Sequence, residues 1–272
     1  MPEGHTVHRS ANQFNRAFRS RGVTVDSPQG RFAQSADLVS GAKLRLATAV
    51  GKQLFLNFDN GYTVRIHLGI YGKWRWYQLD EQDELPTVRG EIRARFYGLD
   101  GKGKMRLAEL RGPTACEVLT QDEVQQVLKR LGSDPLNPDP DDQEYLRFES
   151  KVLKSSKSIG LLLMDQSVIS GIGNVYRAEL LFRAQLNPHQ RGKDLLASQV
   201  RELWEDSVRL LEVGVKKGVM ITRDEHLAKD PGKQHRNFVY KREGKPCRVC
   251  GNDISIELAA GRKLYWCTVC QR

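Results

Sequence analysis

The first segment of the chain shows the hydrophobic periodicity of an amphipathic helix. Its apolar positions recur at spacings of four, three and four residues: Val7, Ala11, Phe14 and Phe18. This period places them on one face of a helix over residues 4–20. Because that helix would start directly after Pro2 and Glu3, we expect the amino terminus to be held by a packed element.

From residue 23 to residue 110 the pattern changes to short runs in which apolar and polar residues alternate, broken by glycine. The runs lie at 43–46, 53–58, 63–67, 74–77 and 92–96. Asp59-Asn60-Gly61 supplies a tight hairpin turn between the second and third runs. Closely spaced short strands of this kind predict a β-sandwich or a barrel. The region has neither a glycine-rich phosphate loop nor a strand–helix alternation, which argues against a nucleotide-binding α/β fold.

Residues 120–131 carry the signals of a helix start and a helix stop. Thr120 and Glu123 have the spacing of a capping box, an apolar face follows, and Gly132 is the predicted stop. The next segment, 133–140, contains three prolines. Since such a segment can be neither a helix nor a central strand, we place the main domain boundary there.

Helical periodicity returns after this boundary. We predict four helices, near 145–152, from 161, from 174 and over 196–211, and a loop at 219–235. The predicted domains are 1–132, a linker at 133–142, a helical domain at 143–233 and a cysteine-rich module at 234–272. The predicted fold class is therefore α+β and multi-domain.

Composition describes a soluble protein with a basic surface. Hydrophobic residues make up 39% and charged residues 28%, and no apolar run approaches the roughly 18 residues of a membrane span. No secretory signal is visible, so we expect a cytoplasmic protein. The formal net charge of +10 favours a polyanionic partner, most often nucleic acid. The alternative is a basic enzyme without such a partner.

Four of the five cysteines form two closely spaced pairs near the carboxyl end. Cys247-x2-Cys250 and Cys267-x2-Cys270 are separated by sixteen residues, the spacing of two metal knuckles on a β-hairpin. Four thiolates suit one zinc ion, and a site filled by sulfur has no open position, so the zinc should be structural. Two disulfides do not fit a reducing cytoplasm. Cys116 is expected to be an ordinary buried thiol.

Two further features could contact phosphate. Residues 233–272 contain nine Lys or Arg against three acids, and Arg262 lies where the zinc hairpin should turn. A solvated turn residue is the alternative there. The segment Gly171-Ile172-Gly173-Asn174 opens a helix, where glycines allow close approach and free N–H groups favour an anion. Asn174 could cap that helix or donate to phosphate.

The amino terminus carries candidate catalytic chemistry. Removal of Met1 would leave Pro2 as a secondary amine, which gives a charged iminium directly when it attacks an aldehyde carbon. An amino-terminal amine also has an unperturbed pKa near 8, well below that of lysine. Glu3 lies beside it and could move protons. The alternative for a Met-Pro start is a frayed terminus.

Together these motifs resemble those of the Fpg/Nei DNA glycosylases over nearly the whole chain. The quoted matches are Met1 to Gly4, Gly51-Lys52, Leu163 to Gln166, Gly171 to Tyr176, and Cys247 to Gln271. The resemblance implies an N-terminal β-sandwich with an N-terminal helix, a helix–two-turn–helix domain and a C-terminal zinc-finger β-hairpin. It also implies removal of oxidised bases from double-stranded DNA, followed by cleavage of the abasic strand by β,δ-elimination.

The resemblance assigns roles to matching residues. Pro2 would be the nucleophile at C1′ of the damaged nucleotide, and Glu3 the acid/base that assists opening of the sugar. Lys52, Asn174 and Arg262 would contact phosphates, with Lys52 and Arg262 counted in the catalytic site. The backbone approach to DNA would use Gly171 and Gly173. For Lys52 the alternatives are an exposed strand residue or the nucleophile itself.

Within the family, the bacterial Nei branch of actinobacterial type is closer. Ile70 and Tyr71 stand where Nei proteins carry residues that fill the space left by the everted base, although both could be core residues. Gly69 is a departure that leaves reading of the opposite base open, and Thr6 departs near the flipped base. The 222–234 loop lacks the Gly-Gly-Thr-Thr pattern of Fpg proteins, so we favour oxidised pyrimidines over 8-oxoguanine.

The predicted function is that of a bifunctional DNA glycosylase and abasic-site lyase of base excision repair. We expect one structural zinc, a bacterial cytoplasmic protein associated with the nucleoid through DNA, no membrane partner and a monomer. One alternative is a non-catalytic protein that binds damaged or abasic DNA. A zinc-ribbon transcription or RNA-binding factor is another. The third is a family member specialised for bulky adducts or crosslinks.

Overall fold

The computed structural model describes residues 2–80 and 84–272. The chain divides into two compact units. The first contains Pro2 and Thr6–Arg130, and the second contains Glu3–His5 and Leu131–Arg272. Among the helices of the described residues, none has the length and apolar character needed to cross a membrane.

In its described residues, the first unit contains one long helix, two short helices and eight strands. The helices are α1 (Gly4–Phe18, whose first two residues group with the second unit), α2 (Ala33–Asp37) and α3 (Gln121–Lys129). The strands are β1 (Thr24–Asp26), β2 (Leu44–Val50), β3 (Gln53–Phe58), β4 (Thr63–His67), β5 (Lys73–Leu79), β6 (Ala94–Leu99), β7 (Met105–Arg111) and β8 (Ala115–Leu119).

The strands form two antiparallel sheets of four. Their orders are β1-β6-β7-β5 and β2-β3-β4-β8. Apolar side chains from both sheets and from α1 share one core, which includes Phe14, Phe18, Leu56, Ile66 and Phe96. The predicted β-sandwich with an N-terminal helix is confirmed, because the alternating strands bury one face of each sheet in this shared core.

Local signals placed several elements correctly. The Asp59-Asn60-Gly61 turn joins β3 to β4, and Gly61 has a φ of +88° that suits glycine. The capping box of α3 is present, since Thr120 accepts from the Glu123 amide and the Glu123 carboxylate accepts from the Thr120 amide. The run predicted at 92–96 begins later, at Ala94.

Gly132 is not the stop of α3, and this prediction was wrong. The helix ends at Lys129, and Arg130 completes its carboxyl end in a right-handed conformation. Gly132 instead donates its amide to Gln166, and a Cβ at this position would lie 2.4 Å from the Val168 carbonyl carbon. The glycine is therefore required by close backbone packing within the second unit.

The second unit contains a helical part and a zinc-ribbon hairpin. Its helices are α4 (Gln143–Leu153), α5 (Ile159–Leu162), α6 (Asn174–Arg183) and α7 (Ala197–Lys217). Short 3-10 turns lie at Gly192–Asp194, Asp224–His226 and Lys233–His235. Strands β9 (Ser255–Ala259) and β10 (Arg262–Trp266) pair antiparallel. The helices predicted near 145–152, from 174 and over 196–211 are present, whereas the one predicted from 161 was wrong, because the four-residue α5 already ends at Leu162. The multi-domain α+β class is confirmed.

Helix α6 is the centre of the second unit. Nearly all of its residues are buried, whereas α4 and α7 each bury one face. One side of α6 belongs to the helical core with Phe148, Val152 and Trp204. Its residues Ala178 and Phe182 belong to the core of the zinc module. Because α6 is buried on all sides, it contacts both the helical core and the core of the zinc module. It can therefore hold side chains of both in fixed positions next to the glycine turn where it starts.

Candidate nucleic-acid interface and metal centre

The Glu3 side chain is fully buried and caps helix α6. Its carboxylate accepts backbone N–H bonds from Gly173 at 2.9 Å, Val175 at 2.9 Å and Tyr176 at 3.3 Å. These are among the amides at the start of α6 that have no partner inside the helix. A carboxylate at a helix N-terminus is also favoured by the helix dipole. The anion expected at this helix start is therefore supplied by the chain itself.

The two glycines of the turn permit this arrangement. A Cβ on Gly173 would lie 2.5 Å from the Glu3 carboxyl carbon. Gly171 has a φ of +98°, and its carbonyl accepts from the Gly4 amide at 2.8 Å. The Gly171 amide is donated to Gln166. The amides of Gly171 and Gly173 are thus both hydrogen-bonded within the protein. Pro2, the residue before Glu3, is only partly buried.

The negative charge of Glu3 influences the pKa of a nearby side chain in the second unit. Burial and, secondarily, this charge raise the pKa of Tyr176 well above its ordinary value. The His5 ring meets Tyr176 edge-on, with the ring centroids 5.5 Å apart. Residues 3–5 are therefore packed elements of the second unit, and the alternative of a frayed start does not apply to them.

Asn174 does not cap α6. Gly173 occupies the cap position, and the Asn174 side chain is turned towards the zinc hairpin, where its Nδ2 donates to the Lys263 carbonyl at 2.8 Å. Its Oδ1 accepts from Nη2 of Arg177 at 2.5 Å. Arg177 is one of the residues that sequence analysis missed, because a helical arginine has no local signal that distinguishes it from a solvated one.

Arg262 begins β10, next to the hairpin turn. Ala260 and Gly261 form the turn with φ values of +47° and +73°, as expected for a tight hairpin, and Arg262 is exposed. The adjacent Lys263 carbonyl is the one that both Asn174 and Arg177 bind. The structure therefore brings two of the predicted phosphate contacts, Asn174 and Arg262, to the same strand end.

Lys52 lies in the first unit, in the two-residue turn between β2 and β3. Gly51 precedes it with a φ of +58°, and Lys52 is partly buried. Burial and then the charges of Lys52 and Arg65 lower the pKa of His67, which keeps this imidazole neutral at pH 7. His67 was also missed by sequence analysis, because Lys52 comes from the turn between β2 and β3, which is distant in the chain.

Ile70 and Tyr71 lie in the turn between β4 and β5 and are not core residues. Their exposed fractions are 48% and 83%. Gly69 precedes them with a φ of +66°, and a Cβ there would lie 1.9 Å from the Thr114 hydroxyl. The glycine is therefore required by the shape of this turn, which presents two apolar side chains to solvent.

The four paired cysteines form one metal centre. Their sulfur atoms all lie within 4.8 Å of one another, with Cys247 and Cys270 3.9 Å apart and Cys250 and Cys267 3.5 Å apart. Tetrahedral zinc with Zn–S bonds of about 2.3 Å requires sulfur atoms about 3.8 Å apart. The donor set therefore fits zinc with four thiolates and no open position.

A second buried carboxylate, Glu179, fixes the zinc module to α6. It accepts three consecutive amides, those of Phe238, Val239 and Tyr240, at 2.7 to 2.8 Å. It also accepts the Thr222 hydroxyl at 2.5 Å. The segment that leads into the zinc hairpin is thus hydrogen-bonded to the same helix that Glu3 caps.

Three family models match the chain in order. The formamidopyrimidine-DNA glycosylase N-terminal domain matches residues 1–116, and the H2TH domain of the same family matches 131–226. The zinc finger found in FPG and IleRS matches 244–272. This last match agrees with the four-thiolate geometry, and the chain carries one structural zinc site.

Curated relatives cover the whole chain. Endonuclease 8 1 of Mycobacterium tuberculosis is 42% identical over 275 residues, which is 100% of both chains. Endonuclease 8 of Escherichia coli is 28% identical, with 100% of both chains covered. Among solved structures, Lactococcus lactis formamidopyrimidine DNA glycosylase with abasic-site DNA has a TM-score of 0.77 at 24% identity and 99% coverage of each chain. The last comparison supports the fold.

Proposed function

Because the chain belongs to the Fpg/Nei family of DNA glycosylases, we propose that it is a bifunctional glycosylase and abasic-site lyase that works through the amine of Pro2. Its class, a DNA repair glycosylase with a zinc finger, follows from the family. The nucleophile, the elimination steps and the lesion preference are our proposal.

The Pro2 nitrogen attacks C1′ of the damaged nucleotide, and the base leaves with the electron pair of the glycosidic bond. Glu3 takes the proton that the Pro2 nitrogen loses and passes it to O4′ as the sugar opens, so that an iminium forms between the Pro2 nitrogen and C1′. This cation withdraws electrons, so loss of a C2′ proton expels the 3′ phosphate. Loss of a C4′ proton then expels the 5′ phosphate, and hydrolysis of the iminium frees Pro2.

The observation that carries this proposal is the anchoring of Glu3. Three hydrogen bonds from backbone amides and full burial fix its carboxylate, and the Gly4 amide is hydrogen-bonded to the Gly171 carbonyl. Pro2 is covalently next to this fixed residue and is itself only partly buried. An anchored acid beside a partly accessible secondary amine is what iminium chemistry requires, because both reacting groups must be pre-positioned.

Three side chains would hold the DNA backbone around the reacting nucleotide. Lys52 of the first unit, and Asn174 and Arg262 of the second, each donate to a phosphate oxygen. Gly171 and Gly173 support these contacts by shaping the start of α6. Ile70 and Tyr71 would enter the space left by the everted base, a role that suits their exposure in the turn.

For the lesion, we propose oxidised pyrimidines in preference to 8-oxoguanine. The residues at 222–234 lack the glycine- and threonine-rich pattern of the Fpg loop, and Thr222 is bonded to Glu179. The relatives from Mycobacterium tuberculosis and Escherichia coli are both named endonuclease 8. We further propose that the protein acts as a monomer in the bacterial cytoplasm.

Borohydride trapping tests the nucleophile. The protein is incubated with an oligonucleotide that carries one abasic site, borohydride is added, and the adduct is mapped by peptide mass spectrometry. We expect one covalent adduct on Pro2 and an intact mass without Met1. Lys52→Met should still give the Pro2 adduct, although more slowly.

Two results would contradict the proposal. One is an intact mass that retains Met1, since the amine would then be blocked. The other is a Pro2→Gly variant that traps as fast as the original protein through another amine. A panel of duplexes with oxidised pyrimidines, 8-oxoguanine and a crosslink then compares excision rates, and fastest excision of 8-oxoguanine would overturn the lesion preference.

A further inference from the structure

A cavity of about 260 Å³ lies in the first unit, between α1 and one of the two sheets. Three of its lining residues, Gln13, Arg16 and Ala17, share one face of α1, because they are spaced by three and four positions. The sheet contributes Trp76 from β5 and Arg106 from β7. Small-molecule sites usually measure roughly 300–1,000 Å³, so this cavity suits a small ligand.

The cavity is separate from the amino-terminal site. Gly4 begins α1, and Gln13 is the first residue of this helix that lines the cavity. At 1.5 Å of rise per residue, Gln13 lies about 14 Å along the helix axis from Gly4. A ligand in the cavity would therefore lie outside the site proposed around Pro2.

The α1 side of the cavity offers polar groups that no neighbour uses. In the part of the chain that the structure describes, the side chains of Gln13 and Arg16 make neither a hydrogen bond nor an ion pair. Arg16 carries five N–H donors and a permanent charge, and the Gln13 amide adds two further donors. These groups are available to a ligand that accepts hydrogen bonds.

Trp76 forms a rigid wall of the cavity. Its ring packs against Phe14 and Phe18, with ring centroids 4.9 Å and 6.2 Å apart. Its Nε1 is buried and has no acceptor among the described residues. A buried donor without an acceptor is costly, and such a group in a native structure calls for an explanation. A bound acceptor would remove this cost.

Arg106 contributes a guanidinium that is bound only through its inner nitrogen. Its Nε donates to Oδ2 of Asp100 at 2.7 Å, and no contact among the described residues engages Nη1 or Nη2. The bond from Arg106, followed by those from the Lys102 and Lys104 amides, lowers the pKa of Asp100 to about 2. The carboxylate is therefore ionised at neutral pH and holds the Arg106 fork in one orientation.

This set of donors favours a phosphate group at the end of a molecule. None of the described lining residues is an acid, and two of them carry a guanidinium, whose planar fork matches pairs of phosphate oxygens. A phosphodiester within a strand continues on both sides and needs an open groove. A phosphate monoester ends in three free oxygens and can enter a small cavity.

We propose that this cavity binds a phosphate monoester, with Arg16 and Arg106 holding the phosphate oxygens and Trp76 forming the wall beside the ester group. The site goes beyond the proposed glycosylase reaction, because binding there requires neither abasic DNA nor the Pro2 amine. Inorganic phosphate and a mononucleotide carry the same terminal oxygens, and separate titrations distinguish these two sources.

NMR of the tryptophan indole N–H protons tests the proposal at the cavity itself. The chain has four tryptophans, and Trp76→Phe identifies the Trp76 signal. The protein is titrated with inorganic phosphate and, separately, with thymidine 5′-monophosphate, with KCl holding the ionic strength constant. We expect a saturable shift of the Trp76 signal with both. Equal affinities would identify phosphate alone as the ligand, and tighter binding of the nucleotide would place its ring against Trp76.

Arg16→Met and Arg106→Met should each weaken binding about tenfold or more, because a charged donor to phosphate is lost. Arg45→Met is the matched control, since Arg45 is an exposed arginine on β2 that does not line the cavity. It should keep the original affinity. Arg106→Met also removes the ion pair with Asp100, so the unfolding temperature of each variant is measured, and the result for Arg16→Met decides if Arg106→Met is unstable.

Three results would overturn the inference. The first is the absence of a saturable Trp76 shift with either ligand. The second is equal weakening in Arg16→Met and Arg45→Met, since the charge would then act without a site. The third is equally tight binding of a thymidine dinucleotide that has one phosphodiester and no terminal phosphate, because the cavity would then be a contact for the DNA backbone.

Abasic-site trapping separates this inference from the proposed function. Arg16→Met should trap at the original rate, and slower trapping would mean that the cavity serves the damaged strand instead of a separate ligand. If the unaltered protein fails to trap at all, the proposed function is wrong, whereas the titrations still decide whether the cavity binds a phosphate monoester.

Discussion

Two buried glutamates each accept hydrogen bonds from several backbone amides. Glu3 binds the start of α6, and Glu179 binds the segment that leads to the zinc hairpin. A buried carboxylate that accepts several N–H groups is stabilised by those bonds, whereas a single unmatched group would cost about 1–3 kcal/mol. At the scale of residues, this gives Glu3 a structural role beside the catalytic one that we propose.

Glu3→Gln should therefore destabilise the second unit in addition to slowing the reaction. The amide would turn its NH2 group towards at least one backbone N–H, such as that of Val175, and leave this donor without an acceptor. We expect a loss of about 2 kcal/mol in the free energy of unfolding, measured with urea. The exposed residue Glu205, changed to Gln, is the control and should change stability by less than about 0.5 kcal/mol. Equal stability of Glu3→Gln and the original protein would contradict this prediction, because it would show that water replaces the lost hydrogen bond to the backbone amide.

The titration of His67 reports on the surroundings of Lys52. Its pKa is below the ordinary value of 6.5 because of burial, then Lys52, then Arg65. Removing one cation in Lys52→Met should raise this pKa towards 6.5, as measured by NMR of the imidazole protons. Arg45→Met, an exposed arginine on β2, is the control and should leave it unchanged. An unaltered His67 titration in Lys52→Met would mean that burial and Arg65 set the pKa without Lys52.

The same shift predicts a pH dependence of stability. Between 6.5 and its lower value in the folded protein, His67 binds fewer protons folded than unfolded. The free energy of unfolding must then rise with pH through this window and keep the full contribution above it. Lys52→Met should flatten this part of the profile, since it brings the folded pKa closer to the unfolded one.

At the scale of elements, the sequence predicts those whose signals are local. The capping box of α3, the Asn-Gly turn before β4 and the spacing of the cysteine pairs each depend on residues a few positions apart. Their geometry follows from backbone preferences, so neighbours suffice to recognise them. The short elements α2 and β1 carry little periodicity and were not predicted, and strands β7 and β8 were also missed.

The glycines show which structural requirements can be predicted from neighbouring residues and which cannot. Gly61 is needed by its own turn, and the sequence indicates this. Gly132 is needed because the backbone of Val168 passes against it, and Gly173 because the Glu3 carboxylate does. Those partners are distant in the chain, as are the partners of Glu179 and the Lys263 carbonyl that Arg177 binds. The residue types of the candidate site could therefore be predicted, whereas the contacts that orient them could not.

Removing the metal tests whether the zinc hairpin is an independent element. The four thiolates repel one another without a cation, so chelation should unfold β9 and β10 and release Arg262 from its position. Glu179 binds Phe238 to Tyr240 outside the metal site. Hydrogen exchange should therefore rise sharply in 247–270 and much less in 238–240. Cys116→Ser, which leaves the metal ligands intact, is the control. Protection of β9 and β10 that survives chelation would contradict the prediction.

At the scale of the whole molecule, the net charge of +10 can act on DNA in two ways, as a general attraction and through contacts of single cations with single phosphates. Diffuse charge strengthens binding to any DNA, whereas a positioned cation that neutralises one phosphate adds a defined amount to the salt dependence. Lys52 and Arg262 belong to different units of the chain. Their contributions should therefore be independent.

This independence gives the final prediction. Lys52→Met and Arg262→Met should each lower the slope of log K against log salt by about 0.9 for abasic-analogue DNA, and the double variant by about 1.8. The exposed residues Lys102 and Arg272 change net charge equally when altered, and their variants should keep the original slope within error. A double variant no worse than either single one would mean that the two units do not bind phosphates of the same duplex at once. If all four single variants lower the slope equally, the positive charge acts diffusely. Only a cation that is positioned at a phosphate should affect the slope more than another residue of equal charge.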